Sequence, residues 1–371
     1  MDNLGDMYAL AADRGGWNAL APVLKQALSE GCGVRVFLVG TTAQQFRSGS
    51  LKIDDRVPTE TDINILRSFF ASSRLVTILG ASQSAEGTMA TYRAAIASPA
   101  PLLSIQDYYG SAIPLLKALG REKNLDTLCV TDEIARDHLI KQGFSGQHIV
   151  VTGGPHFDLI KEKKDTWIQD RQRLRTDHGI SENEKIFLVV GQPGGTAEIL
   201  GLLDQAIKTS ALLKDAARVI VRMHSRATTK NQQAVQRFLQ NPSALKAIDI
   251  PSTRIVSSDD LLPAADFVLS GYSTTNHIGI LYQMPGVIYV GTPKLTEDLK
   301  RDTGHSIPLE VAYGAAWYVQ TPAELIEALR EIQKGQESSK LQQILHKQTT
   351  IAAHNDGRAT ERVWKEILKL L

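Results

Sequence analysis

ARVIVRM at residues 217–223, ADFVL at 265–269 and GVIYV at 286–290 are three short apolar runs, each followed by small or polar residues. Mainly apolar runs of five to seven residues bounded by turn residues read as strands of a parallel sheet. The first run leads into His224-Ser225-Arg226, the second into Ser270-Gly271-Tyr272-Ser273-Thr274-Thr275, and the third follows Met284-Pro285. Between the second and third, Thr274–Gln283 has the length of one short helix. A hydroxyl cluster at the mouth of a helix, beside the ends of buried strands, is where an α/β sheet binds an anion.

Working outward, the same alternation continues in both directions. Met7–Ala12, Val34–Val39, Leu75–Leu79, Leu102–Ile105, Thr127–Val130 and Ile149–Val151 read as strands. Helical spacing at Leu20, Val23, Leu24, Ala27 and Leu28 separates the first two, and Glu86–Ala97 reads as a helix. A segment of high charge, 161–184, follows. Its bland reading is an exposed helix that links two domains. Ile186–Val190 then opens a second unit with Gly191-Gln192-Pro193-Gly194-Gly195-Thr196 and a helix through Leu213, repeating the strand–glycine–helix start of the first. Trp317–Val319 is a further strand, and helices begin near Pro322, Ser338 and Gly357. The last places Val363, Trp364, Ile367, Leu368 and Leu371 on one face, so it packs onto something.

The expected fold class is therefore α/β, with two Rossmann-like doubly wound domains facing across a cleft. The expected division is 1–160, a connector at 161–184, 185–353, and a crossing helix at 354–371. Forty-one Lys+Arg against forty Asp+Glu, with no long basic block, excludes nucleic acid as a partner on bulk electrostatics. The two cysteines, Cys32 and Cys129, are too few for a disulfide framework or a zinc site and read as buried thiols in a reducing compartment. Met1-Asp2-Asn3 begins no basic leader and no apolar run reaches spanning length. A cytoplasmic protein is expected.

Several of these residues resemble a family. Val151-Thr152-Gly153-Gly154-Pro155 with Phe157-Asp158, Arg222-Met223-His224 after a strand, and Ala265-Asp266 leading to Ser273-Thr274-Thr275 and Pro285 are similar to the glycosyltransferase B superfold. The likeness covers nearly the whole chain, and its flavour is that of the UDP-N-acetylglucosamine 2-epimerases and the CDP-glycerol glycerophosphotransferases. It implies a final helix that returns to the first domain. It also implies a UDP- or CDP-linked donor as substrate, held by Gly194, Gly195, Arg222, His224, Ser273, Thr274 and Thr275 through backbone N–H groups, hydroxyls and cationic side chains. Many relatives carry an acid in the helix after the hydroxyl cluster. TNHIGILYQM (275–284) has none, which leaves ribose recognition unassigned and weakens the retaining-transferase and epimerase readings.

An inverting transfer needs a base near the acceptor hydroxyl and support for the leaving phosphate. Asp13, beside Gly15-Gly16, is the first candidate, with Asp107 and Glu86 behind it; each also reads as a turn or helix-cap carboxylate. Gly15, Gly16 and His156 are candidate cleft contacts, with a tight turn and a plain loop histidine as the alternatives. His277 reads as a packing residue or a solvent-facing one. Trp17 and Tyr108-Tyr109 suit either an acceptor or the core. With no Asp-x-Asp triplet and no His/Cys cluster, neither a metal nor a cofactor is expected. The expected function is a metal-independent transferase moving a sugar or polyol phosphate from a nucleotide donor in glycan or glycoconjugate synthesis. A nucleotide-sugar epimerase or hydrolase, and a non-catalytic nucleotide-sugar binder or assembly partner, are the alternatives. The acceptor and the oligomeric state stay open.

Overall fold

The computed structural model describes residues 7–55, 57–62, 65–66, 68, 76–81, 95, 99–109, 111, 125–210, 217–224, 227–240, 246–248 and 257–371. The expected helix Glu86–Ala97 lies almost wholly outside them, and Glu86 itself, Ser225, Arg226 and the end of the helix expected to reach Leu213 lie outside entirely. The chain divides into two compact units: 1–161 together with 353–371, and 162–352.

The first unit is built on a seven-stranded sheet, all parallel, in the order β3-β2-β1-β4-β5-β6-β7. Its strands are β1 (Met7–Ala11), β2 (Val34–Leu38), β3 (Thr59–Glu60), β4 (Val76–Ala81), β5 (Leu102–Gln106), β6 (Thr127–Val130) and β7 (Ile149–Val151). The first crossover helix, α1 (Arg14–Ser29), buries Trp17, Leu20, Val23, Leu24 and Ala27 against Met7, Ala9, Val36, Ile78, Leu103 and Ile105. Gly15-Gly16 is not a turn, as the glycine pair suggested, but the first turn of α1. Asp13 sits at the N-cap in extended backbone and starts the helix one residue earlier than the glycines would.

The C-terminal helix Ala359–Leu368 joins this same core through Val363, Trp364 and Ile367. Its seat is the stretch Val151–Asp158. Asp158 accepts from the N–H groups of Ala359 and Thr360, both at 2.8 Å, capping the helix. Asn355 Oδ1 accepts from Gly154 N–H at 2.8 Å, and Arg362 Nε donates to Thr152 C=O at 2.7 Å. Gly153 has φ +84°, and a Cβ there would lie 2.0 Å from His354 O, so two backbones touch where only glycine fits. The Thr-Gly-Gly-Pro run thus serves as the dock for the chain's last helix.

The second unit has a six-stranded parallel sheet ordered β10-β9-β8-β11-β12-β13. These strands are β8 (Lys185–Val190), β9 (Ala217–Arg222), β10 (Lys246–Ala247), β11 (Phe267–Ser270), β12 (Val287–Val290) and β13 (Trp317–Val319). Phe187, Val189, Leu203, Val219, Leu269, Ile288 and Trp317 lie in one core with the helices on that face. The helix Trp167–Asp177, expected as a bare connector, is exposed along most of its length but belongs to this unit. Arg175 is buried and donates to the carbonyls of Ala264, Ser181 and Glu184 at 3.1, 2.6 and 2.6 Å, while Arg171 meets Asp266 at 2.8 Å. Cys32 and Cys129 are buried free thiols. No helix among the described residues is long and apolar enough to cross a membrane.

Candidate functional site

In the second unit the crossovers reverse direction between β8 and β11, the switch point at which α/β sheets bind their ligands. The loop after β8 is Gly191–Gly195. Gly195 adopts φ +80° and starts the helix Thr196–Thr209, whose N-terminus has no side-chain cap. That leaves an uncapped positive helix end of the kind that binds anions. The loop is fixed from beneath by residues the motif reading passed over. Thr196 Oγ1 accepts from Gln192 N–H at 3.1 Å, and the buried Asn231 donates to Gln192 C=O at 3.1 Å and to Thr196 Oγ1 at 3.0 Å.

Gly191 donates to Arg222 C=O at 2.7 Å, and a Cβ on it would meet Arg222 O at 2.9 Å and His224 N at 3.0 Å. The end of β9 is therefore pressed against the glycine loop, bringing half-buried Arg222 and His224 to it. From the other side, a Cβ on Gly271 would lie 3.5 Å from Gln192 Cγ and 2.9 Å from Leu295 Cδ2. The loops after β8, β9 and β11 thus meet. A cation the sequence reading did not single out joins them. Lys294, at the start of the helix Pro293–Thr303, has its stem 3.7 Å from the Cβ position of Gly194 and its Nζ on Asp298 at 2.6 Å.

The hydroxyl cluster divides its labour. Ser273 Oγ caps the helix Thr274–Leu281 by accepting from Thr275 N–H at 3.2 Å, and Thr274 is exposed. Thr275 is buried, and its hydroxyl donates to Asp259 Oδ1 at 2.7 Å. Ser257 Oγ donates to the other oxygen at 3.0 Å, and burial pushes the Asp259 carboxyl above its ordinary range. An acid absent from the helix is thus brought to its first turn from a 3₁₀ segment, Ser258–Ala264, sixteen residues earlier. Local sequence carries no sign of this contact. His277 packs, with its Nδ1 3.3 Å from the buried Glu310 carboxylate.

In the first unit the reversal falls between β1 and β4. A Cβ on Gly16 would lie 2.9 Å from Gly80 O, and one on Gly80 2.4 Å from Gly16 O, so α1 and the end of β4 touch through backbone. Asp13 Oδ1 accepts from Gly16 N–H at 2.9 Å. Asp107, just past β5, comes to the same place: its Oδ2 is 1.8 Å from where a Cβ on Gly15 would sit. Two of the three candidate carboxylates therefore gather at the head of α1. His156 is half-buried, its ring centroid 3.8 Å from that of Phe157. Burial first, and the Asp13 charge second, push the Asp107 carboxyl from 3.8 to about 7.

Because folded Asp107 holds its proton across that window while the unfolded chain releases it, stability falls as pH rises from about 4 to about 7. The ceiling is ~4 kcal/mol at 1.36 kcal/mol per pH unit, and the screening of a half-buried side chain lowers it. Urea unfolding at pH 5 and pH 8 is expected to show the drop, and the Asp107→Asn variant is expected to lose most of it.

Comparison with known proteins gives this geometry a family. Residues 110–369 match the model of the CDP-glycerol:poly(glycerophosphate) glycerophosphotransferases. The chain belongs to this family. No curated protein matches it in sequence. Among solved structures, it is similar to Neisseria meningitidis UDP-GlcNAc 2-epimerase bound to UDP-GlcNAc, with a TM-score of 0.65 at 13% identity over 99% of this chain and 100% of that one. S. aureus MnaA in its UDP co-structure gives 0.61 at 14% identity, over 99% and 98%. The wall teichoic acid polymerase TagF with CDPG gives 0.60 at 12% identity, over 98% and 88%. These likenesses establish the glycosyltransferase B fold, two Rossmann-like domains with the last helix returned to the first. The family places the protein among the transferases that use nucleotide-activated donors in glycoconjugate synthesis.

Proposed function

We propose that the protein transfers a polyol phosphate from a CDP-linked donor to a hydroxyl acceptor, holding the donor's phosphates on the second unit. The observation that carries this is the meeting of three strand-end loops at an uncapped helix N-terminus, with the backbone of Arg222 and His224 packed on Gly191 and the Lys294 stem beside Gly194. The N–H groups of Gly194 and Gly195 and the first turn after Ser273 supply dipoles to the anion, and Thr274 supplies a hydroxyl. Thr275 contributes through the backbone, its hydroxyl being taken by Asp259. The first unit supplies the acceptor's base from its carboxylate pair. Gly15 and Gly16 let the backbone approach, and His156 stands as a further candidate contact.

The reaction is read as metal-independent and cytoplasmic. Leaving-group charge is met by the helix dipole, Arg222, His224 and Lys294 rather than by a bound cation. A UDP-linked sugar is the second donor reading, supported by the UDP complexes of the structural neighbours.

Isothermal titration with CDP, UDP and CDP-glycerol, with and without EDTA, tests the proposal. CDP binding is expected, unaffected by EDTA. Arg222→Ala and His224→Ala are each expected to weaken it about 10- to 100-fold, the loss of one charge-assisted hydrogen bond, with the melting temperature unchanged. A wild-type protein with no affinity for either nucleotide at millimolar concentration sinks the proposal.

A further inference from the structure

We propose that Asp107 is the group that takes the acceptor's proton, and that Asp13 is its positioning neighbour rather than a competing base. The inference rests on the transferase reading above and deepens it.

The two carboxylates at the head of α1 are not equivalent. Asp13 Oδ1 is committed to the Gly16 N–H, where a negative charge is favoured by the helix dipole. Asp107 reaches over Gly15 into space that any other residue would fill, with Oδ2 1.8 Å from the Cβ position. Its Oδ1 has no hydrogen-bond partner among the described residues. A carboxylate oxygen left unpartnered beside a close glycine approach is costly for folding alone and is suited to a hydroxyl that arrives with the substrate.

Among the described residues, the groups bearing on Asp107 are few. From α1 comes the Asp13 carboxylate; from its own segment come the Ser111 hydroxyl and the Tyr108 backbone. At the end of β4, Gly80 and Ala81 are neutral, and Gln106 precedes it on β5. Tyr109 gives its hydroxyl to Asp132 at 2.5 Å. Burial and a single like charge hold Asp107 near neutrality, where a general base works best.

In the step itself, the acceptor oxygen bonds to the donor's β-phosphorus while its proton passes to Asp107 Oδ1. The pair of the breaking P–O bond leaves with CMP. No electrons change hands and no other reactant is needed.

Transfer from CDP-glycerol to a glycerol phosphate oligomer, followed against pH, tests this. Wild-type kcat/KM is expected to fall below about pH 7. Asp107→Asn is expected to lose roughly 10²- to 10⁴-fold in kcat while keeping CDP affinity and fold. Asp13→Ser keeps a helix cap but removes the charge, so its acidic limb is expected to move to lower pH. Carbon-13 titration of labelled Asp carboxyls reads the same change without turnover: a resonance with a midpoint near 7 vanishes in Asp107→Asn and titrates lower in Asp13→Ser. Asp107→Asn within threefold of wild-type kcat, or an acidic limb and resonance indifferent to Asp13→Ser, overturns the inference while leaving the donor site standing. A wild-type protein that binds no CDP overturns the reading beneath it, and this with it.

Discussion

Trp364→Ala is expected to destabilise the first unit by about 3–5 kcal/mol, the range for truncating a buried tryptophan. Trp364 is 5% exposed and lies with Val363 and Ile367 in the core that α1 shares. The helix carrying it lies at the far end of the chain from β1, yet in space its partners are Trp17, Leu20 and the sheet beneath them. At ~2–4 °C per kcal/mol for a unit of this size, calorimetry is expected to show a fall of about 6–20 °C in the transition that reports the first unit. Loosening α1 also loosens Asp13 and Gly15, so turnover is expected to fail at temperatures where CDP binding persists. Unchanged melting would mean that the C-terminal helix is not part of that core.

The second large effect is expected at Arg175. Its guanidinium, 6% exposed, donates to the carbonyls of Ala264, Ser181 and Glu184 and approaches Asp266 at 3.5 Å. Asp266 in turn accepts from Ile186 N–H at 2.8 Å, so Arg175 ties the starts of β8 and β11 together. Arg175→Ala strands the buried Ala264 carbonyl and leaves Asp266 with one cation fewer, and is expected to cost about 3–5 kcal/mol. Lysine is not expected to rescue it, because one ammonium cannot span carbonyls that a planar fork reaches together. The loops on those two strands carry the proposed donor site, so CDP affinity is expected to weaken in parallel, measured by titration beside urea unfolding. A variant as stable as wild type would show the fork to be dispensable.

Much of the architecture is legible in local pattern. β6 and β13 run as the apolar stretches Thr127–Val130 and Trp317–Val319 predict, and β9 stops one residue short of Met223. Strands buried on both faces write themselves as short apolar runs, because each residue's environment is set by the sheet it enters. The amphipathic face of the last helix likewise announced a partner. The glycine pair at 15–16 misled, since a glycine needed for close packing on Gly80 looks in sequence like one needed for a turn.

The amino-acid sequence by itself determined the alternation of strand and helix, the two sheets, and the strand ends at which polar residues collect. Periodicity and turn chemistry act over a few residues and need no partner to be read. Only the tertiary structure decided what those polar residues do: that Asp13 is spent on a helix cap while Asp107 is pressed against Gly15, that Thr275 gives its hydroxyl to Asp259, and that Gly153 and Asn355 exist for the returning helix. Each of these is a contact between residues distant in the chain, and a side chain's charge and freedom depend on what is folded against it.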